Sequence, residues 1–367
     1  MRDVMVALGR RGVESAALVH HHSLSLTTSD EVFRANGHKF HVVRTGMWVK
    51  LLFTPISPGF PWHFRRLIKS FKPDILHLHL PNPSSFWALF LPSARRIPWV
   101  VHWHADVVTS AQNWQLRLFY KLYRPFEQAV LKRARAIIAT SLPYRDSSEP
   151  LQRWISKCHV IPLGVDVERF AGADNSFEEG TRGASISVLA VGRLTYYKGF
   201  RYLIEAAAKS PAIHINIVGH GDQAKQLKAL TASLKMQERV SFHGILSDAE
   251  LAQKMSQADC ICLPSTERTE AFGMVLLEAM YFSKATVVSD VPGSGMGWIV
   301  DDNVTGLKVM PANSDALVAA FERLNADREE LARMGACGKE KFDNQFEINH
   351  AIRGLMEVYQ QVLPASV

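Results

Sequence analysis

Short apolar runs alternate with helix-patterned stretches along almost the whole of this 367-residue chain, and few architectures accept that alternation. The runs KFHVV, DILHLHL, PWVVHWH and AIIATS are separated by helical segments at 62–72, near 83–91 and at 114–136. Strands spaced by helices pair in parallel through crossovers, and a parallel sheet covered by helices on both faces is the economical solution. Residues 171–184, AGADNSFEEGTRGA, are polar, glycine-rich and without period, which predicts a linker or exposed loop. Alternation then restarts with ISVLAVG, a helix at 199–208, IHINIVG, a helix at 222–235, RVSFHG, a helix at 247–257, DCICLPS, a helix at 272–282 and ATVVSD. The fold class is therefore α/β, with two doubly wound domains in series. The expected division is 1–164, then 165–345, then a closing helical segment 346–367 that packs back toward the first domain. One chain of this length exceeds a typical single core, which agrees with two domains.

The start departs from this plan. In MRDVMVALGRRG the apolar Val4, Met5 and Leu8 sit at helical spacing before a stop at Gly12, so the chain opens with a helix. A doubly wound half normally opens with a strand and a glycine-containing loop that feeds its first helix. The first domain is expected to lack that first strand, and a version extended upstream is expected to be better folded and more active.

Charge is unevenly spread. Residues 1–170 hold 23 Lys+Arg against 11 Asp+Glu, whereas residues 171–367 hold 19 against 24. Much of the basic excess lies in WHFRRLIKSFK and WQLRLFYKLYRPFEQAVLKRARA, where aromatic and aliphatic residues interleave with Arg and Lys. Two readings stay open for these helices: an anionic membrane surface, or a solvated face whose apolar side packs inward. No nucleic-acid motif accompanies the charge, so nucleic acid is not an expected partner. No apolar run approaches the ~20 residues of a membrane span, and the start lacks a signal peptide's apolar core. The expected location is cytoplasmic, extended by the membrane reading to peripheral contact at the inner face of the plasma membrane. Cys158, Cys260, Cys262 and Cys337 are too few and too badly spaced for a disulfide framework, and His20, His21 and His22 end a strand-like SAALV run without an obvious metal-binding companion.

Ligands of doubly wound domains sit at the carboxyl ends of strands. The loop after ISVLAVG carries Arg193 and Lys198 ahead of a helix, a receptor for an anion such as phosphate. The loop after IHINIVG, GHGDQA, satisfies a loose G-x-G-x-x-A pattern through Gly219, Gly221 and Ala224; it reads as a glycine turn that lets backbone approach a nucleotide. After DCICLPS comes STERTEAFGMVLLEAM, in which Glu270 precedes a helix starting near Phe272 and Glu278 lies roughly 9 Å further along it. The two carboxylates could meet opposite ends of one extended ligand.

The glutamate pair in EAFGMVLLE, together with VGRLTYYKG, VIPLGVDVERF and DILHLHLPNP, resembles the retaining glycosyltransferases of family 4, across nearly the whole chain. The resemblance implies the GT-B fold, two Rossmann-like domains facing a cleft, with the first on the acceptor side and the second binding a nucleotide sugar. It implies that Glu270 bonds the donor sugar's hydroxyls, Glu278 holds the ribose, Arg193 and Lys198 clamp the diphosphate, and the backbone N–H groups around Phe272, Gly273 and Met274 meet sugar and phosphate. PWVVHWHAD is similar to the segment that brings a histidine to the donor sugar, here His104, with Asp106 in the same loop. VPGSGMGWIV departs from the commoner form of its loop but could still bring Gly293–Gly295 near the phosphates. No D-x-D metal motif occurs, so no metal or other cofactor is expected, and the cations and helix N-terminus must stabilise the leaving diphosphate. Transfer is expected to be retaining, by a front-face route in which the leaving phosphate takes the acceptor's proton. HLHLPNP, HWHAD and GSGMGW further resemble mannose-specific branches of bacterial surface-polysaccharide assembly, which implies GDP-mannose as donor and a saccharide or lipid-linked saccharide as acceptor.

Three other readings remain. A nucleotide-sugar epimerase on the same fold would convert the donor without an acceptor. A retaining glycosidase would use two carboxylates without a diphosphate clamp. An inactive binding protein would keep the donor and turn nothing over.

Overall fold

The computed structural model describes residues 1–35, 37–51, 54–107, 114–170 and 185–363, so the polar stretch 171–184 lies outside the described residues. The chain forms two compact units. One consists of residues 1–140, 148–161 and 348–367, and the other of 141–147 and 162–347.

The first unit opens with helix α1, Arg2–Gly9, followed by strands β1, Ala16–His20, β2, Ser29–Ala35, and β3, His38–Thr45. These make a three-stranded sheet of order β1-β3-β2, with β1 parallel and β2 antiparallel to β3. Nothing in the apolar pattern announces β2: SDEVFRA is exposed or half-buried at every position, as befits an edge strand held by its neighbour's backbone. A small hairpin, β4, Val49–Leu51, and β5, Thr54–Ile56, precedes helix α2, Phe60–Phe71. A second, wholly parallel sheet then follows in sequence order, from β6, Leu76–Leu80, β7, Trp99–Trp103, β8, Ala136–Ala139, and β9, Cys158–Val160. The long basic helix is present as Trp114–Arg133. The C-terminal helix Ile348–Val362 belongs to this unit, burying Ile352, Leu355 and Val358 in a cluster with Val100 and Ile138.

The second unit holds six parallel strands: β10, Ile186–Val191, β11, Ile213–Val218, β12, Val240–Gly244, β13, Cys260–Leu263, β14, Ala285–Ser289, and β15, Gly306–Val309. Their order is β12-β11-β10-β13-β14-β15. Alternate residues feed the two faces: Val188, Ala190, Cys260 and Cys262 enter one apolar cluster, and Leu189, Ile261 and Leu263 the other. The continuous apolar runs of the sequence thus follow from burial on both sides. Burial pushes the Cys260 and Cys262 thiols upward, away from the reactive thiolate. The strand order reverses between β10 and β13, so the chain leaves these two neighbours in opposite directions and opens a crevice at their carboxyl ends.

Candidate functional site

Both loops at that reversal carry residues singled out from the sequence. After β10, a single 3-10 turn, Tyr196–Lys198, brings the Lys198 ammonium to 2.5 Å from Glu270 Oε2, with each side chain only 12% exposed. In an ion pair shielded this far from water, loss of either partner leaves an uncompensated buried charge. Ser265 Oγ lies 3.4 Å from the same carboxylate oxygen. Arg193, expected to act beside Lys198, is exposed in the same loop. Lys198 therefore meets a carboxylate that the sequence reading had assigned to a separate task.

The adjoining glycine turn has a structural cause inside the protein. Gly219 adopts φ +135°, and a Cβ there would stand 1.9 Å from the Gly192 carbonyl oxygen. Gly192 in turn lies against the Lys198 ammonium, 3.1 Å from where its own Cβ would be. Gly219 makes room for the Gly192 carbonyl of the neighbouring loop, and Gly192 makes room for the end of the Lys198 side chain.

After β13, the helix begins at Met274, two residues later than expected, with Gly273 as its N-cap at φ +93°. A β-carbon at Gly273 would also press on Leu263 and Leu276. The Phe272 side chain is buried in the apolar cluster and is core, while Met274 is half-buried. The GSGMGW loop packs back on this segment: Ser294 Oγ donates to the Glu270 carbonyl at 2.5 Å and the Gly295 N–H to the Ala271 carbonyl at 2.8 Å. The departure of that loop from the commoner form leaves it able to fix the backbone of Glu270.

Glu278 is 8% exposed, far from the solvated helix glutamate that its spacing alone would suggest. Burial pushes its carboxyl up, and the Arg169 guanidinium, with Nη1 at 3.3 Å, pulls it back. Arg169 also reaches Asp248 through Nη2 at 2.8 Å. Sequence reading missed Arg169, although it ends the VIPLGVDVERF segment; a lone arginine near a domain boundary carries no local signal of the glutamate it meets 109 residues later.

In the first unit, alternation in LHLHL and WVVHWH points His77, His79 and His102 to one face, and His104 follows just beyond β7. Their rings stack nearly parallel, His77 on His79 at 4.8 Å and His102 on His104 at 4.3 Å. Ring nitrogens pair between strands, His79 Nδ1 with His104 Nε2 at 2.7 Å and His77 Nε2 with His102 Nδ1 at 3.2 Å. The other His77 nitrogen meets the Tyr359 hydroxyl at 2.5 Å. Desolvation pushes His77 down to about 3 and His104 down to about 4, so both are neutral near pH 7. His77, His79 and His102 form the one group of metal-capable side chains among the described residues, with nitrogens within 4.8 Å of one another. Parallel rings bonded to each other form a hydrogen-bonded ladder, whereas a tetrahedral site needs lone pairs converging on a point. Asp106 accepts from Trp103 Nε1 at 2.9 Å and from Ser148 Oγ at 2.6 Å, which fixes the loop after His104.

The basic helix Trp114–Arg133 resolves the two readings of its charge in part. Tyr123, Glu127, Val130 and Leu131 face inward, but Leu118, Leu122 and Phe126, spaced by four, are 53%, 69% and 42% exposed. Trp87 and Phe90 extend this exposed apolar stripe beside Phe126, and Arg117, Lys121 and Arg124 flank it. No helix among the described residues is long and apolar enough to cross a membrane.

Both units match described families. Residues 173–341 match the family described as glycosyl transferases group 1, and residues 1–164 match a glycosyl transferase 4-like domain. The chain is 31% identical to the O-antigen chain mannosyltransferase C of Escherichia coli over 86% of its own length and 83% of that protein. It is 32% identical to a phosphatidyl-myo-inositol mannosyltransferase of Mycobacterium tuberculosis, over 79% and 74% of the two chains. Among solved structures, a sucrose-phosphate synthase from Thermosynechococcus elongatus superposes with a TM-score of 0.80 at 24% identity, covering 100% of this chain and 93% of that one. Anabaena HepE in complex with UDP and glucose superposes with a TM-score of 0.69 at 21% identity, covering 87% and 86%.

Proposed function

This chain belongs to the group 1 glycosyl transferases, with a family 4-like first domain and the GT-B fold, and from that premise we propose that it moves mannose from GDP-mannose to a saccharide or lipid-linked saccharide in the synthesis of a surface polysaccharide or glycolipid. The observation that carries the site assignment is the Lys198–Glu270 pair at the strand reversal of the second unit. A diphosphate entering the crevice competes for the Lys198 ammonium. Its arrival leaves Glu270, whose backbone Ser294 holds in place, free to accept hydrogen bonds from the donor sugar's hydroxyls. Arg193 supplies the second cation. Glu278, held opposite Arg169, accepts the two ribose hydroxyls, and the N–H groups at Gly273 and Met274 face the phosphate and sugar. Gly219 holds the Lys198 loop at its working position. His104, neutral and held through Nε2 by His79, bonds a sugar hydroxyl through its other ring nitrogen.

Breaking the glycosyl phosphate bond places negative charge on the leaving diphosphate, and cations already in position stabilise it without reorganisation. The reaction is metal-independent and retains the anomeric configuration, with the leaving phosphate taking the acceptor's proton. The names of the two mannosyltransferases support the donor. The exposed Leu118–Leu122–Phe126 stripe and its flanking cations support peripheral contact with an anionic membrane.

Mannosyl transfer from GDP-mannose to a lipid-linked saccharide extract tests this directly. Turnover unaffected by EDTA, with an α-linked product, is the expected result. Release of free mannose without acceptor, conversion of the donor to an epimer, or dependence on a divalent metal contradicts the reading. Leu122→Glu should lower binding to vesicles containing anionic lipid at least tenfold while leaving turnover of a soluble acceptor analogue unchanged; equal vesicle binding removes the membrane assignment.

A further inference from the structure

Residues 141–147 follow β8 in the chain but pack with the second unit, and the chain returns to the first unit at Ser148. Ser141 and the short helix Leu142–Ser147 make up this excursion, and the Ser141 and Tyr144 side chains are fully buried. The proposed reaction gives the segment no task, yet its contacts fall on the two loops that flank Glu270.

Residues 264–273, between β13 and the helix Met274–Tyr281, belong to no helix or strand, so the side chains that bond this loop set where Glu270 stands. Arg268 lies in it, with its guanidinium carbon 4.6 Å from the centre of the Tyr144 ring and Nη2 donating to Ser147 Oγ at 3.0 Å. A hydroxyl accepts and donates at once, and Ser147 Oγ is also 3.1 Å from the Gly293 carbonyl oxygen. The residue after Gly293 is Ser294, whose Oγ donates to the Glu270 carbonyl. These contacts close a ring: from Ser147 to Arg268, along the chain to Glu270, across to Ser294, back to Gly293 and across to Ser147 again. The glycines of the GSGMGW loop admit the segment to this ring. A Cβ at Gly293 would stand 2.6 Å from Ser147 Oγ, and one at Gly295 would stand 2.9 Å from Ser141 Oγ.

Taking Glu270 as the residue that bonds the donor sugar, we infer that Arg268 and Ser147 are positioning residues of the reaction, which lock the segment 141–147 onto the loops that fix the Glu270 backbone. They act through Glu270 and not on the substrate itself. A misplacement of about 1 Å in a catalytic group costs up to about a hundredfold in rate, so a ring of single hydrogen bonds is enough to matter. GDP carries no sugar for Glu270 to hold, so its binding does not depend on the ring.

The test uses Ser147→Ala, Arg268→Ala and Ser294→Ala, which open the ring at three different points, together with the double variant of Ser147 and Arg268. Amides of residues 268–271 and 293–295 should exchange about tenfold faster in each single variant, and kcat with GDP-mannose should fall about tenfold. The rise in Tm given by GDP should stay at its wild-type value. The double variant should lose no more kcat than either single one, because an open ring is not opened further. Wild-type kcat in Ser147→Ala, losses that multiply in the double variant, or unchanged exchange overturns the inference. If the wild-type chain itself moves no mannose from GDP-mannose, the proposed function fails separately, and the exchange rates still decide whether the ring holds the Glu270 loop.

Discussion

Glu278 is the residue whose environment departs furthest from its sequence context. Its neighbours Val275, Leu276, Leu277, Ala279 and Met280 are all buried, and a carboxylate among them is tolerable because Arg169 compensates it. Glu278→Gln keeps the shape and leaves Arg169 its second partner, Asp248. The variant should therefore fold, while losing charge-assisted bonds to the ribose worth about 1.5–3 kcal/mol, roughly a 10- to 100-fold fall in kcat/KM. Steady-state kinetics with unchanged far-UV circular dichroism would establish this; unchanged kinetics would remove Glu278 from the site. Gly219→Ala tests a different kind of dependence. A methyl placed 1.9 Å from the Gly192 oxygen, at φ +135°, must displace the Lys198 loop, and a stability loss of at least about 2 kcal/mol in urea unfolding is expected. At this scale the glutamates and Lys198 were legible from their place after strands. Their pairing was not, because a contact such as Lys198–Glu270 spans 72 residues and depends on which strands become neighbours.

Strands and helices tell a similar story one level up. Apolar content identified β1, β3, β6, β7, β8, β10, β11, β12, β13 and β14: strands such as β13 and β14 are buried on both faces and read as continuous runs, whereas β3, β6 and β12 alternate apolar with polar or histidine residues. β2 and the β4–β5 hairpin escaped notice, since an exposed edge strand is specified by backbone pairing and not by apolar content. The two histidine-bearing strands carry a pH dependence that their sequences only hint at. His77 and His104 have folded-state values near 3 and 4 against an unfolded value of 6.5, so the unfolded chain binds more protons throughout that interval. Stability contributed by these neutral imidazoles is complete above about pH 6.5 and is lost as pH falls toward 4. Thermal melts between pH 7 and pH 4.5 should show a falling Tm, and His77→Phe with Tyr359 retained should shallow the slope. A slope identical to that of the wild type would mean the ladder takes up its protons without unfolding.

For the molecule as a whole, the strand order of the second unit matters most, because it makes two loops diverge and leaves Lys198, Glu270 and the N-terminus of the helix Met274–Tyr281 around one crevice. The two-domain α/β architecture was readable from alternation alone. The return of the C-terminal helix Ile348–Val362 to the first unit was expected from the sequence, whereas the packing of residues 141–147 with the second unit was not, and no composition change marks that crossing. The central claim is that this crevice holds the nucleoside diphosphate part of a sugar donor. The most direct measurement is the melting temperature of the purified chain with GDP, UDP, dTDP and ADP, repeated for Lys198→Ala and Glu278→Ala. A ligand present at a hundredfold over its Kd and bound to the folded state alone adds about 2.7 kcal/mol, a shift of several degrees. The account predicts stabilisation by one nucleotide, GDP, that disappears in both variants; a folded chain that responds to no nucleotide, or responds equally in the variants, would contradict it.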